Sequence, residues 1–425
     1  MKAHTLKKPK LFSILKHRDK ELTKEQLIKD IVAGIIVAII ALPLSVALGI
    51  SSGVTPEKGL ITAIVAGLFI SLFGGSRVQI GGPTAAFVVI VYGIIEKHGI
   101  DGLIIATLMA GIMLVLMGIL NLGDVIKFIP KTITVGFTAG IAVTLFSTQV
   151  KDVLGLSLSN VPSEFIAKWK VYILNLTSLN MWSLLLGLIS IFIIVGVSKV
   201  SKSIPGSLVA LVVVSLVAAI FALPVTTIGS QFGEISSNIP LPQVPEVGVN
   251  RIVSLIIPSV SIAFLAAIES LLSAVVADEM INKKHDSNTE LIGQGLANIF
   301  SALFGGIPAT GAIARTAANV KNGGRTPIAG VVSALILLLI MKVLMPLIKF
   351  VPLTVLGAIL IVVAYNMCDV KELKKLILSN KFNMIEVLLT FILTVMFNLV
   401  IAILVSMIVH FTFVIITNRK LTMSY

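Results

Sequence analysis

Charge and cysteine are what this chain has least of. Only 12% of its 425 residues are Asp, Glu, Lys or Arg, about half the share of a soluble globular chain. With 56% hydrophobic residues and a mean hydropathy of +1.06, a water-soluble globule is excluded. Cys368 is the only cysteine, so no disulfide framework can form and the usual thiolate sets for zinc or iron–sulfur centres are missing. His98, His285 and His410 have no partner at metal-ligand spacing and read as loop or interface residues. No nucleophile–base pair marks a plausible pocket, so an enzyme is not expected. The formal charge of +13 is spread between apolar runs rather than clustered, which argues against a nucleic-acid partner.

What is present is a series of apolar segments, which predicts an all-α polytopic membrane protein in contact with the lipid bilayer. About fourteen can be read: 31–51, 59–74, 84–96, 101–120, 130–148, 181–198, 205–223, 252–277, 289–304, 310–320, 327–347, 352–366, 384–399 and 400–417. The first follows about thirty polar and basic residues and is too long for a cleaved leader, so it reads as a mature span. Several are shorter than the roughly 20 residues that a straight crossing needs.

Two of the short segments restart after matching interruptions. Gly81-Gly82-Pro83-Thr84-Ala85-Ala86-Phe87 precedes one; Gly305-Gly306-Ile307-Pro308-Ala309-Thr310-Gly311, running into Ala312-Ile313-Ala314-Arg315, opens the other. Gly and Pro inside an apolar run, followed by a renewed helical pattern, are the signature of a discontinuous membrane helix. Spans three and ten are then half-helices, leaving Val78–Gly82 and Gly305–Pro308 as extended backbone that protein must cover. The first N–H groups of a helix lack partners and carry the positive end of its dipole, so two such ends meeting in the membrane form an anion site. Thr84 and Thr310 read equally as ligand contacts or as helix caps. Six spans lie between the two half-helices, so they stand seven apart and the halves have opposite topology, as a 7+7 inverted repeat requires.

The basic residues give an independent topology. With the N-terminus in the cytoplasm, twenty-four of the 33 Lys and Arg fall inside, eight fall outside, and Arg315 remains in the membrane. That bias places both termini inside. The segments 151–180 and 224–250 become outer loops, with Pro240, Pro242 and Pro245 at the joint between repeats. The expected organisation is a basic cytoplasmic N-terminus (1–30), a first repeat (31–223), an outer linker (224–250), a second repeat (251–417) and a short tail (418–425).

Glu269 sits deep in Ser261–Ser273, where a lone carboxylate costs about 2.5 to 3.5 kcal/mol on insertion scales. It is a candidate carrier of a coupling ion, and the sequence leaves its protonation state open. Arg315 would add a full positive charge to the second half-helix. The plainer alternative is a Glu269–Arg315 ion pair that only holds helices together. Gly323-Gly324-Arg325-Thr326-Pro327 lacks the context of a phosphate loop and reads as a cytoplasmic turn. Ala63, Gly67 and Ser71 read as close helix packing.

Further motifs carry a family resemblance. Ala41–Ile50 around Pro43, Gly74-Gly75-Ser76-Arg77 through Thr84, Glu290–Asn298, Pro308–Thr316 and Gly323–Pro327 resemble the SulP sulfate-permease family along nearly the whole chain. The resemblance implies a secondary anion transporter or exchanger of uracil-permease-like fold, with a core domain (spans one to four and eight to eleven), a gate domain (the rest) and an elevator-like motion. It implies a small anion substrate, a homodimer, the cell membrane as location, and no cofactor beyond a transported H+ or Na+. The implied anion contacts are Pro83, Thr84, Ala85 and Ala86 at the first restart, Thr310, Gly311, Ala312, Ile313, Ala314 and Arg315 at the second, and Leu44 and Ser45 on span one. Glu269, Ser273 and Thr310 are the implied coupling-ion contacts.

Two departures bear on substrate and coupling. Leu44 stands where many members have Gln, as in the bicarbonate-transporting branch, yet that branch has Asp where this chain has Glu269. The longer acid points toward proton coupling, as in dicarboxylate-transporting relatives. SulP chains usually continue into a cytoplasmic STAS domain, whereas this sequence stops at Tyr425; a naturally short member and a removed domain both fit. Sulfate, bicarbonate and dicarboxylate all remain candidate substrates. An anion channel or uncoupled exchanger, and a proton-coupled nucleobase permease of the same fold, are the alternatives. The last uses acids in spans eight and ten, and span ten here carries Arg315 instead.

Overall fold

A computed structural model describes residues 8–16, 22–124, 130–158, 160–200, 205–245, 248–397 and 399–422. Lys127, Lys202, and parts of the expected N-terminal segment, outer linker and tail lie outside the described residues. The helices are α1 (Lys10–Lys16), α2 (Lys24–Ser51), α3 (Pro56–Phe73), α4 (Phe87–Ile119), α5 (Lys131–Leu154), α6 (Phe165–Leu174), α7 (Met181–Val200), α8 (Gly206–Ile220), α9 (Ile228–Phe232), α10 (Val249–Ile281), α11 (Ser287–Leu303), α12 (Ile313–Lys321), α13 (Ile328–Ile348), α14 (Leu353–Met367), α15 (Val370–Ser379), α16 (Lys381–Met396) and α17 (Leu399–Thr422). Two short strands, β1 (Gly81–Gly82) and β2 (Thr310–Gly311), complete the described elements.

Each apolar segment read from the sequence lies on a helix, and the differences are at the ends. Eight of the described helical stretches are long and apolar enough to cross a membrane. Spans three and four are the two halves of α4, which breaks at Gly99, where φ of 72° interrupts the helical path. The expected outer loop 151–180 contains α6, and the charged stretch after α14 forms α15, an amphipathic helix with no buried residue. Local chemistry sets several starts. Thr23, Asp286, Asp369 and Asn380 accept backbone N–H bonds at the beginnings of α2, α11, α15 and α16. Pro56, Pro130 and Pro352 stand at or just before the first turns of α3, α5 and α14, where the missing N–H costs nothing.

Two groups of helices pack within themselves. One comprises α2, α3, α4 and α10–α13; the other comprises α5, α7, α8, α14, α16 and α17. Close approach in the first group depends on small residues. A Cβ on Gly111 of α4 would come within 2.7 Å of the Gly295 carbonyl of α11, and one on Gly59 within 2.1 Å of the Ser45 carbonyl. The Ala63–Gly67–Ser71 strip faces β1 as well as neighbouring helices: a Cβ on Gly67 would lie 3.2 Å from the Gly81 carbonyl. Large apolar side chains such as Phe192, Ile220 and Val343 point outward, as a lipid-facing surface requires.

The turn between α12 and α13 explains the Gly323–Pro327 motif. Asp30 of α2 is fully buried beneath it and accepts from the Arg325 and Thr326 N–H groups (2.7 and 3.2 Å) and the Thr326 hydroxyl (2.7 Å). The motif is a cap that ties the start of α2 to the end of α12.

Candidate functional site

The two interruptions meet. β1 and β2 pair antiparallel, Gly81 opposite Gly311 and Gly82 opposite Thr310, so the helices that follow them start at one place and leave in opposite directions. Pairing satisfies much of the backbone that would otherwise be stranded in the membrane. The rest is met by side chains: the Ile80 N–H donates to Thr316 Oγ1, the Ile307 N–H to Thr62 Oγ1, and Asn319 Nδ2 to the Val78 carbonyl.

One face of α11 braces both segments. Glu290, Gln294 and Asn298 recur every four residues, which places them on a single stripe. Glu290 is fully buried and accepts from the Gly75 and Ser76 N–H groups (2.8 and 2.9 Å), Gln79 Nε2 (3.0 Å) and Gln294 Nε2 (2.8 Å). Asn298 binds Ala309 on both sides, accepting its N–H and donating to its carbonyl. Sequence reasoning quoted these residues for their motif and gave them no role. Glu290→Ala leaves at least four buried donors unmatched, each worth about 1 to 3 kcal/mol. A marked fall in Tm in detergent is expected, whereas the exposed Glu25→Ala should leave Tm nearly unchanged.

The half-helices start three residues later than the sequence indicated. α4 begins at Phe87 after Ala86, α12 at Ile313 after Ala312, and neither has a side-chain cap. Thr84 and Thr310 are therefore not caps: strand pairing and a turn carry the chain past them. The Thr84 hydroxyl donates to Glu269 Oε2 at 2.7 Å and the Thr310 hydroxyl to the Ala266 carbonyl of α10 at 2.8 Å. Among the described residues no side chain accepts from the first-turn N–H groups of either helix; at α4 the Phe87 and Val88 N–H groups meet the Thr84 and Ala85 carbonyls.

Arg315 is 3% exposed at this junction. Its guanidinium donates to the Gly81 carbonyl (3.3 Å), Ser45 Oγ (3.1 Å) and the Pro83 carbonyl (3.4 Å). Among the described residues no carboxylate pairs with it, so the Glu269–Arg315 ion pair is absent. Gly82 makes the approach possible. It holds φ of +150°, and a Cβ there would lie 2.1 Å from Arg315 Nη1. Gly82→Ala should displace the guanidinium and raise the Kd of a bound anion about tenfold or more, given about 1 to 3 kcal/mol of strain and clash. Titration of the purified variant with candidate anions checks this.

The remaining site residues divide clearly. Ser45 is part of the Arg315 cluster, and Pro83 joins through its carbonyl; Leu44 is partly buried in the apolar core and offers no polar contact. Ala85 and Ala86 are buried at the start of α4, Gly311 and Ala312 at the start of α12, while Ile313 and Ala314 are exposed beside them. Ser273 lies one turn past Glu269 and turns its hydroxyl to Thr316 at 3.5 Å. No hydrogen bond in the described structure joins Ser273 or Thr310 to the Glu269 carboxyl. His285 is a structural residue, held by Asp278 and Ser287.

Residues 27–393, most of the chain, match the Sulfate permease family. The chain belongs to that family. YvdB of Bacillus subtilis (strain 168) is 45% identical over 363 residues, which cover 85% of this chain and 68% of that one. The bicarbonate transporter BicA of Picosynechococcus sp. is 33% identical over 342 residues, 76% of this chain and 59% of BicA. The solved transmembrane domain of a cyanobacterial BicA superposes with a TM-score of 0.82 at 29% identity, covering 91% of this chain and 98% of that domain. SLC26A9 superposes with a TM-score of 0.85 at 19% identity over 96% of this chain, a likeness of fold alone. The chain is thus a polytopic helical membrane protein of an anion-transporter family.

Proposed function

We propose that the permease is a secondary active transporter that binds one small anion, an inorganic oxyanion or small carboxylate, at the junction of β1, β2 and Arg315. The buried guanidinium carries this reading. Carbonyls and a serine hydroxyl accept its hydrogen bonds but do not neutralise its charge, and an unpaired buried charge costs several kcal/mol. An anion seated between Arg315 and the first turns of α4 and α12 would complete the site. The name of the BicA relatives favours bicarbonate among the substrates, while Glu269 in place of their Asp keeps dicarboxylates in view.

In this reading α2–α4 and α10–α13 form a core that carries the anion past a gate of α5, α7, α8, α14, α16 and α17, by an elevator-like movement. The fourteen segments form a 7+7 inverted repeat, and the antiparallel β1–β2 pair would mark its pseudo-twofold axis. Both termini face the cytoplasm, the protein works in the cell membrane, and a homodimer is the working unit. Glu269 couples transport to H+ or Na+; its contact with Thr84, at the start of α4, supports a link between the coupling group and the anion site.

Uptake of labelled sulfate, bicarbonate, chloride and fumarate into proteoliposomes, each with and without inward proton and sodium gradients, tests this function. Accumulation of one anion driven by one gradient is expected. Downhill flux of every anion at channel-like rates, unaffected by either gradient, would replace the transporter with an anion channel.

A further inference from the structure

Arg315 is not the only buried cation without a carboxylate partner. A cavity of about 490 Å³ lies between the two helix groups, walled by α4, α5, α10 and α16 and roofed by α6. Its inner end reaches Ala86, at the start of α4, and Leu265, one turn before Glu269 on α10. Lys97, His98 and Lys168 line it toward α6.

Lys168 is the unusual member. It is 3% exposed, lines the cavity, and makes no side-chain hydrogen bond or ion pair among the described residues. A lysine so placed normally extends its ammonium to water or pairs it with an acid. The acids nearby do neither. Glu96 of α4 acts on Lys168 only at a distance, and Glu164, one turn before Lys168 at the start of α6, makes no ion pair with it and is exposed and screened by solvent. The remaining titratable groups around it are Tyr92, Lys97 and His98 of α4, Tyr172 of α6 and Asp152 of α5, whose charge acts on Tyr172; the stretches of α10 and α16 that line the cavity present none.

We infer that this cavity holds a small anion at the Lys168 ammonium, a second site that loads the Arg315 site from the outer face. The inference rests on the transport reading for its purpose, but the site itself can be tested without transport. Electrostatic complementarity favours the assignment: a cleft with lysines at one end and apolar walls such as Ile90 and Phe137 concentrates anions. Burial pushes the Lys168 amine down to about 8 from the ordinary lysine value. The amine is charged below that pH and neutral above it, so the site fills at neutral pH and empties in alkali.

Bromide, located by anomalous scattering in crystals of the full chain, is the probe. At about pH 6.5 a peak is expected within hydrogen-bonding distance of Lys168 Nζ in the parent protein and in Arg315→Ala, and none in Lys168→Gln. At about pH 9.5 the charged fraction falls to about one-thirtieth and the peak should vanish, while Lys168→Arg keeps it at both values. Crystals without bromide at Lys168 at the lower pH, or with an unchanged peak in Lys168→Gln, overturn the inference. Bromide at Lys168 but absent from Arg315 in the parent protein would leave the inference standing and count against the proposed transport site.

Discussion

Arg315→Ala is expected to weaken binding of the transported anion by about 30-fold or more while the protein still inserts, because removing one partner of a buried, hydrogen-bonded charge pair costs about 2 to 5 kcal/mol. The loss should exceed anything the helix ends can make good. Each half-helix dipole is worth only about 0.3 to 1 kcal/mol in ordinary settings, so the starts of α4 and α12 alone would not hold an anion. Inserted, monodisperse protein is expected to survive the substitution, since the β1–β2 pair and the Asn298 and Glu290 braces do not pass through the guanidinium. Lysine at this position should recover part of the affinity, because its point charge remains while the fork that reaches Gly81, Ser45 and Pro83 is lost. Equilibrium binding on purified protein measures both variants. An Arg315→Ala protein with parental affinity would reduce Arg315 to a packing residue.

The second large effect concerns Glu269. Glu269→Gln mimics the protonated acid in shape and keeps an acceptor for the Thr84 hydroxyl, so anion binding and anion–anion exchange should persist. Accumulation against a gradient should not. With one proton per anion, an inward gradient of one pH unit supports about a tenfold concentration ratio, and the variant should fall to a ratio of one. Sodium is expected to have little effect on the parent protein. Uptake that follows sodium and ignores the pH gradient would instead make Glu269 a sodium ligand.

Much of this arrangement was legible in the sequence, for reasons that also explain what was not. The Gly81–Thr84 and Gly305–Thr310 interruptions were visible because Gly and Pro stand out against apolar runs, and the membrane leaves few ways to accommodate them. Their pairing with each other joins Gly81 to Gly311 and Gly82 to Thr310, far apart along the chain, which no local pattern records. That pairing is why the half-helices begin at Phe87 and Ile313 and why both threonines face α10 instead of capping. The i, i+4, i+8 recurrence of Glu290, Gln294 and Asn298 within an apolar helix was a readable sign of a buried polar stripe. Its partners were backbone groups of Gly75, Ser76 and Ala309, which carry no side-chain signal. Asp30 was hidden in the same way beneath the Gly323–Pro327 turn. Helix α15 was missed because its charges resemble a loop, although Leu373, Leu376 and Ile377 repeat at helical spacing.

The most direct test of an anion at the meeting of β1 and β2 is the protection of a single thiol placed there. Ile313 is 46% exposed on the first turn of α12, beside the buried Arg315. In a background with Cys368 replaced by Ala, Ile313→Cys should react readily with a small, soluble methanethiosulfonate reagent. A transported anion should slow that reaction in proportion to site occupancy, and adding Arg315→Ala should abolish the protection. A modification rate at Ile313→Cys that stays constant at saturating anion, in protein shown to transport it, would place the anion elsewhere.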